Sequence, residues 1–311
     1  MPIGAYTGAN WTGASVKDIV SNPTAQVESV LAIHEHFHPD ALLTAMDLSA
    51  EAEAFGAEIR VSEDEIPTVI GRHVSSLAEI QSMVVPKVGE KRTRVYLDTA
   101  NQLYRKFNPF PVMGGMIGPF SLAGRLFGVS EILEASASEG DLVLAILEKT
   151  TAFLSEYALA YREVGASGVI IAEPTAGLLS PKSLARFSAP YIKRIVEQTQ
   201  TESFTPILHN CGARLAHLEK TLESGARIYH FGAPMDLPKA LETVGDQIIL
   251  GGNIDPAGVL FNGRADEVRL AVHQLLEKTG PRRNFILSSG CDIPPGTPLE
   301  NIEAFFDAGR Q

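Results

Sequence analysis

Three residues of this chain have side chains that bind transition metals well: His209, Cys211 and Cys291. His209 and Cys211 stand two positions apart in HNCG, directly after the apolar run TPIL, so a strand would direct both side chains to the same side. Cys291 follows another apolar run, FILSS. One imidazole and two thiolates around an open fourth position are the donor set of a catalytic zinc site.

The same residues also fit a structure without a metal. His209 would then be a hydrogen-bonded loop residue, and the two cysteines would be small buried side chains. A His-x-Cys pair is short enough to occur by chance. The pair stands at the end of an apolar run, however, and the site would use both cysteines of the chain. The metal site and the metal-free structure are therefore about equally supported by these residues alone.

Eight short apolar runs recur along the chain, separated by stretches with helical periodicity. Asn22-Pro23 and Ser180-Pro181 are typical helix openings. This alternation predicts an α/β protein, a single (β/α)₈ TIM barrel over residues 1–311, and the missing GxGxxG loop disfavours a doubly wound nucleotide-binding sheet. The predicted strands are PIGAY, ALLTA, PVMGG, GVIIA, TPILH, IYHF, IILGG and FILSS.

The segment 51–70 predicts an insertion after the second strand. AEIRV and PTVI are strand-like and flank an acidic turn, which indicates a β-hairpin. In a TIM barrel the chemistry gathers where strands end. Asp47, Glu173, Asn253 and Asp255 all follow predicted strands and are therefore candidates. Asp47 could instead cap a helix or form hydrogen bonds within a loop, and Asp255 before Pro256 resembles a helix opening.

Composition excludes several classes of protein. The chain has 311 residues and a net charge of -11, with no basic block, which argues against nucleic acid. The start MPIGAYTGANW lacks the features of a secretory signal, and no apolar run approaches the roughly 18 residues of a membrane helix. We therefore expect a cytoplasmic protein whose two cysteines stay reduced.

Six motifs, in this order, resemble those of the uroporphyrinogen decarboxylase family, and within it the branch of zinc-dependent, corrinoid-linked methyltransferases. The resemblance runs almost from end to end, and the last motif is long and specific. The motifs are MDLSAEAEAFGAEI at 46–59, GPFSLAG at 118–124, EPTAGLLSP at 173–181, HNCG at 209–212, GGNIDP at 251–256 and SGCDIPPGTPLENIEA at 289–304.

The resemblance implies a methyltransferase that moves a methyl group between a corrinoid, methylcobalamin, carried by a partner protein and a zinc-activated thiol. It implies three Zn²⁺ ligands: His209, Cys211 and Cys291. Several of these enzymes have a Glu as a fourth ligand where this chain has Gly232. Water or the substrate thiol is the first candidate for that position, followed by His230 and Glu173.

The resemblance also assigns roles to residues outside the metal cluster. Asp47 stands where decarboxylases have an essential aspartate, and Glu173 follows a predicted strand. We therefore predict both as catalytic residues. Asn253, Asp255 and Phe120 of the GPFSLAG motif are predicted to contact substrate. The thiol, the direction of transfer and the oligomeric state stay open, and a homodimer is one alternative.

Three other functions remain. A decarboxylase-like lyase is supported by Asp47, but decarboxylases have a Gly-His-Gly around the position of Cys291 and an arginine-rich opening, and PIGAYTGANWTG has no arginine. A non-catalytic barrel with a structural zinc would need four closed ligands. A zinc hydrolase ranks last, because it needs a general base and only Glu173 offers one.

Overall fold

The computed structural model describes residues 2–310, and within them seven strands form one parallel sheet in the order β1-β4-β5-β6-β7-β8-β9. Two further strands, β2 and β3, pair antiparallel in a separate hairpin. The predicted α/β class is therefore confirmed, with a curled parallel sheet at its centre. The strands are β1 Leu42–Leu43, β2 Ile59–Arg60, β3 Thr68–Val69, β4 Val112–Ile117, β5 Gly168–Ala172, β6 Thr205–Asn210, β7 Ile228–Phe231, β8 Ile249–Ile254 and β9 Phe285–Ser289.

Helices follow the strands of the parallel sheet and cover its outer face. Two begin as the sequence predicts: the Asn22 side chain accepts from the Thr24 amide, and Ser180 accepts from the Ser183 amide. No helix within residues 2–310 is long and apolar enough to span a membrane. The α-helices are α1 Ala9–Thr12, α2 Val16–Ser21, α3 Pro23–Phe37, α4 Ala50–Ala54, α5 Leu77–Ser82, α6 Thr93–Phe107, α7 Pro119–Phe127, α8 Val129–Ser138, α9 Gly140–Glu163, α10 Pro181–Phe187, α11 Ala189–Thr199, α12 Leu215–Leu222, α13 Leu237–Thr243, α14 Ala265–Thr279 and α15 Leu299–Gly309. Ala5–Gly8 and Thr175–Leu178 are 3₁₀ turns, and Pro256–Phe261 is a π-helix.

The first predicted strand, PIGAY, is not a strand. Ile3 forms only an isolated parallel bridge with Asp292, and the chain then turns into the 3₁₀ helix Ala5–Gly8. The turn is favoured over a strand because Thr7 donates two hydrogen bonds to the Gly4 carbonyl, one from its amide at 3.0 Å and one from its hydroxyl at 2.7 Å. Local side-chain hydrogen bonds of this kind compete with strand pairing.

The N-terminal segment nevertheless lies against the end of the sheet. The Ile3 amide donates to Ser289 Oγ at 3.1 Å, and the Ile293 amide donates to the Ile3 carbonyl at 2.8 Å. The Ile3 side chain shares one buried apolar cluster with Leu43 of β1, the strand at the opposite edge. The sheet therefore curls so that its two edges approach the same segment.

Alternation along the strands separates an inner from an outer face. In β5, Ile170 and Ala172 belong to the inner apolar cluster, whereas Val169 and Ile171 pack in the larger cluster under the helices. Ile207 of β6 is also an inner residue. His209, two positions further, therefore lies on the inner face at the carboxyl end of its strand.

The insertion is anchored by a buried ion pair. Arg92 before α6 pairs with Asp47, and its Nε donates to Glu53 Oε2 at 2.7 Å. The chain then continues into the β2–β3 hairpin, within the range 51–70 in which the sequence predicts one. This hairpin brings Ile66 and Thr68 over the inner face of the sheet.

Gly8 offers a test of how closely the N-terminal segment packs. A Cβ at Gly8 would lie 2.0 Å from the Ser29 carbonyl oxygen of α3, so Gly8→Ala must displace backbone. We expect the free energy of unfolding to fall by about 1–3 kcal/mol, measured by denaturant unfolding. Gly245→Ala is the matched control, because a Cβ there meets no atom within 4 Å. Equal stability of the two variants would contradict the close contact.

Candidate metal centre

The three predicted metal ligands come together at the carboxyl end of the sheet. His209 is the last residue but one of β6, Cys211 directly follows that strand, and Cys291 lies just after β9. The His nitrogen and the two sulfurs that could bind an ion all lie within 4.8 Å of one another. Tetrahedral zinc, with Zn–S near 2.3 Å and Zn–N near 2.0 Å, would need separations of roughly 3.5–3.8 Å. The three side chains are therefore close enough together to bind one ion.

A buried hydrogen-bond chain orients the His209 ring. β6 and β7 pair with His209 opposite His230, and the two Nδ1 atoms lie 2.8 Å apart. His230 Nε2 is in turn 2.8 Å from Ser288 Oγ. If His209 Nδ1 donates to His230 and His230 Nε2 donates to Ser288, His209 Nε2 keeps its lone pair for a metal.

His209 Nε2 itself is buried and has no hydrogen-bond partner among the described residues. A buried unpaired nitrogen is costly, and native structures seldom leave one without a reason. Burial, together with the neighbouring His209, lowers the pKa of His230 well below its usual value, so His230 is neutral and able to accept. The unpaired lone pair beside two sulfurs fits a bound metal ion.

A hydrogen bond couples the sulfurs of the two cysteines. Hydrogen bonding from Cys291 lowers the pKa of Cys211 to about 7, and the same interaction, aided by burial, raises the pKa of Cys291 to about 12. One thiolate thus forms readily beside a thiol. A metal ion at this point would bind both sulfurs as thiolates, and a donor set of one imidazole and two sulfurs suits zinc far better than magnesium or calcium.

None of the proposed protein groups occupies a fourth ligand position. Both ring nitrogens of His230 are engaged in the hydrogen-bond chain. A side chain at position 232 has no room, since a Cβ on Gly232 would lie 2.2 Å from the Cys211 carbonyl oxygen. Within residues 2–310 the ligand cluster contains His209, Cys211 and Cys291 alone.

A cavity of about 320 Å³ opens beside the cluster, and all three ligand residues line it. Small-molecule sites are commonly concave and apolar with few polar groups, and this volume is at their lower end. Two charged side chains, Arg125 and Asp292, border the cavity. Its other lining residues are Ile3, Met46, Leu48, Ile66, Pro67, Thr68, Ala172 and Pro174.

Glu173 lies behind the cavity wall and holds the start of α7. Its carboxylate accepts from the Phe120 and Ser121 amides, each at 2.9 Å, and from Ser121 Oγ at 2.7 Å. Burial raises the pKa of Glu173 to about 7, although these hydrogen bonds oppose the rise. Glu173 and the fully buried Phe120 do not line the cavity, so their predicted catalytic and substrate contacts stay predictions.

The carboxylate of Asp47 is likewise satisfied inside the protein. It accepts from Arg92, from Tyr96 Oη at 3.0 Å and from Ser49 Oγ at 2.6 Å. Asp47 thus fixes the segment before α4, close to the loop role that the sequence left open. Asp47 does not line the cavity, so its catalytic role stays a prediction.

Asn253 and Asp255 also serve the loops around the site. Asn253 Nδ2 donates to the carbonyls of Gly232 and Met235, at 3.0 and 2.7 Å. Asp255 Oδ1 accepts from the Ala257 and Gly258 amides at 3.0 Å and so caps the π-helix. This is the helix-opening role that the sequence offered as the alternative for Asp255. Neither lines the cavity, and their predicted substrate contacts stay predictions.

Sequence reasoning missed the two charged residues of the cavity. Arg125 lies in the last turn of α7, away from the strand end, and reaches the cavity only through its long side chain. Asp292 directly follows a predicted ligand, and that adjacency was the one available signal. The residue is half-buried but its carboxylate oxygens are fully buried, and this burial raises the pKa of Asp292 well above the usual value.

Comparison with known proteins agrees with this geometry. The family model described as uroporphyrinogen decarboxylase (URO-D) matches residues 4–311. The chain belongs to the uroporphyrinogen decarboxylase family. The methylcobamide:CoM methyltransferase MtbA of Methanosarcina mazei is 30% identical over 275 residues, 87% of this chain and 79% of that protein. A uroporphyrinogen decarboxylase of Prochlorococcus marinus is 26% identical over 304 residues, which cover 96% of this chain and 87% of that protein.

A solved structure extends the comparison to three dimensions. A methyltransferase from Methanosarcina mazei matches with a TM-score of 0.88 at 27% identity, over 99% of this chain and 91% of that one. The predicted resemblance to this family and to its methyltransferase branch is confirmed.

The hydrogen-bond chain predicts the effect of losing His230. His230→Asn removes the acceptor that orients His209, and outer-shell partners of this kind typically change metal affinity 10–100-fold. We expect a loss of zinc affinity in that range in a competition titration with a chromogenic chelator. His273→Asn, an exposed histidine on α14, is the matched control. Unchanged affinity in His230→Asn would show that the chain does not orient the ligand.

Proposed function

We propose that this protein is a zinc-dependent methyltransferase that moves a methyl group between a corrinoid bound to a partner protein and a small thiol. The observation that carries the proposal is the His209, Cys211 and Cys291 cluster, which has three ligand residues and faces a small cavity. Membership of the family and the resemblance to MtbA support this reaction.

The residues of the cluster would each have a defined task. His209 would bind the metal through the nitrogen left free by its contact with His230, and the two cysteines would bind as thiolates. Zinc, when bound, lowers the pKa of a coordinated thiol and so supplies a thiolate near neutral pH. Two protein thiolates would balance the charge of Zn²⁺ and so would leave a coordinated substrate sulfur electron-rich.

The transfer balances without an oxidant or a reductant. In the direction of thiol methylation, the thiol loses its proton to solvent and a sulfur–carbon bond forms. The cobalt–carbon bond of the methyl corrinoid breaks at the same time, and its electron pair stays on cobalt. The apolar walls contributed by Met46, Leu48 and Ile66 would exclude water from the sulfur nucleophile.

Charge argues against a decarboxylase of the family's type. Uroporphyrinogen carries eight carboxylates, whereas Arg125 is the one cationic side chain among the described residues that line the cavity. Its volume of about 320 Å³ suits a small thiol better than a tetrapyrrole. A purely structural zinc would need a fourth protein ligand, and the cluster has three.

Two expectations about architecture and location accompany the function. We propose a closed (β/α)₈ barrel in which the segment around Ile3 takes the place of the eighth strand, supported by its bridge to Asp292. We also propose a single domain located in the cytoplasm, where the thiols of Cys211 and Cys291 would stay reduced. A homodimer is compatible with this function.

Removing a ligand tests the proposal directly. Cys211→Ser or Cys291→Ser should bind less than the expected one zinc per chain and should lower thiol-dependent demethylation of methylcobalamin by more than about 100-fold, beyond typical outer-shell effects. Zinc content would be measured by mass spectrometry and demethylation by absorbance.

Metal removal gives the matched control. Wild-type protein stripped by a chelator should lose activity and recover it with added zinc, while the serine variants should not recover. Full activity of the stripped wild type, or metal-free decarboxylation of uroporphyrinogen, would overturn the proposal in favour of a lyase.

A further inference from the structure

The fold brings the two cysteines of the chain together, although they are far apart in the sequence. Cys211 lies in the loop after β6 and Cys291 in the loop after β9. Their sulfurs and a ring nitrogen of His209 all lie within 4.8 Å of one another. A reaction between the two thiols can therefore take place within one chain.

The sulfurs are close enough for a disulfide bond to form by movement of side chains. An S–S bond is about 2.05 Å long, so the two sulfurs have to approach by no more than about 2.8 Å. Rotation of one cysteine side chain between staggered positions moves its sulfur by roughly 3 Å, a displacement of the size required. The strands and their loops can stay in place.

Both thiols are accessible to a small oxidant. Cys211 and Cys291 are half-buried, and both line the cavity of about 320 Å³. Cysteines oxidise readily when they are accessible, have thiolate character and stand beside a second cysteine. The structure meets the first and third conditions, and coordination to zinc would supply the thiolates.

We propose that Cys211 and Cys291 form a reversible oxidation site, at which a peroxide converts the two thiols into a disulfide and thereby abolishes the metal site. The disulfide itself follows from the positions of the sulfurs, whereas the loss of metal rests on the proposed function. A disulfide leaves His209 as the single remaining ligand of the cluster, too few to hold zinc. Oxidation therefore stops methyl transfer until the bond is reduced.

The reaction consumes one peroxide for each disulfide. One thiolate attacks a peroxide oxygen, the O–O bond breaks, and a hydroxide leaves as the sulfenic acid forms. The second thiolate attacks that sulfur, the S–S bond forms, and a second hydroxide leaves. The two sulfurs lose two electrons in total, and the two hydroxides take up the protons of the two thiols and become water. Two molecules of a small thiol reverse the change by exchange, and they leave as their own disulfide.

Other products of oxidation fit the structure less well. An isolated cysteine continues from sulfenic to sulfinic acid, which is irreversible for most proteins. Here the second sulfur, within 4.8 Å, can intercept the sulfenic acid first. A disulfide between two chains requires a cysteine at the surface, whereas both cysteines face the cavity.

Treatment of the zinc-loaded protein with hydrogen peroxide tests the proposal. Trypsin places the two cysteines in separate peptides, 195–214 and 284–310, neither of which contains methionine. We expect mass spectrometry to find these peptides linked, about 2 Da below the summed mass of the reduced pair. A chromogenic chelator should detect about one zinc ion released for each linked pair. A phosphine reductant followed by added zinc should restore both free peptides and bound metal.

Three variants serve as controls. Cys211→Ser and Cys291→Ser cannot form the link, so the remaining cysteine should be oxidised to sulfinic acid, and the reductant should not reverse that change. Met46→Leu is the matched control, because Met46 lines the same cavity and is also oxidisable. This variant should give the linked pair in the same yield as the wild type.

The outcomes separate this inference from the proposed function. Sulfinic acid at either cysteine of the wild type, or a linked pair found only between two chains, overturns the inference and leaves the methyltransferase standing. Unmodified cysteines at a peroxide dose that oxidises Met46 also overturn it. A linked pair in protein that binds no zinc supports the oxidation site and contradicts the proposed function.

Discussion

The structure of the site depends on one buried contact, between the facing Nδ1 atoms of His209 and His230. Only one of the two nitrogens can donate, and burial keeps His230 neutral. If His230 accepts, the second nitrogen of a neutral His209 is an unprotonated acceptor, and it lies beside two sulfurs with no hydrogen-bond partner among the described residues. A metal cation would satisfy such a nitrogen and both sulfurs together.

The sequence predicts those parts of the fold that local patterns determine. The β-branched runs from PVMGG to FILSS form strands, and the two-residue spacing of His209 and Cys211 places both at one strand end. The N-terminal strand fails, because hydrogen bonds from Thr7 to Gly4 favour a turn over pairing with β9.

The remaining parts of the site depend on contacts between distant segments. Strand register sets His230 beside His209, so its ring becomes an orienting group instead of the fourth ligand that the sequence leaves open. Arg125 reaches the cavity only because α7 packs where it does, a property of tertiary structure that no spacing in the sequence reveals. Glu173, by contrast, follows a predicted strand but turns its carboxylate to the amides of Phe120 and Ser121.

Charge balance explains what the open ligand position would contribute to the proposed transfer. Two cysteine thiolates would neutralise Zn²⁺, so a bound substrate thiolate would give the metal group one negative charge. Methylation of the sulfur would remove that charge and weaken its bond to the metal. Substrate and product would therefore differ in affinity at the sulfur, where the chemistry occurs, and Gly232, by leaving the fourth position to the substrate, would make that difference available.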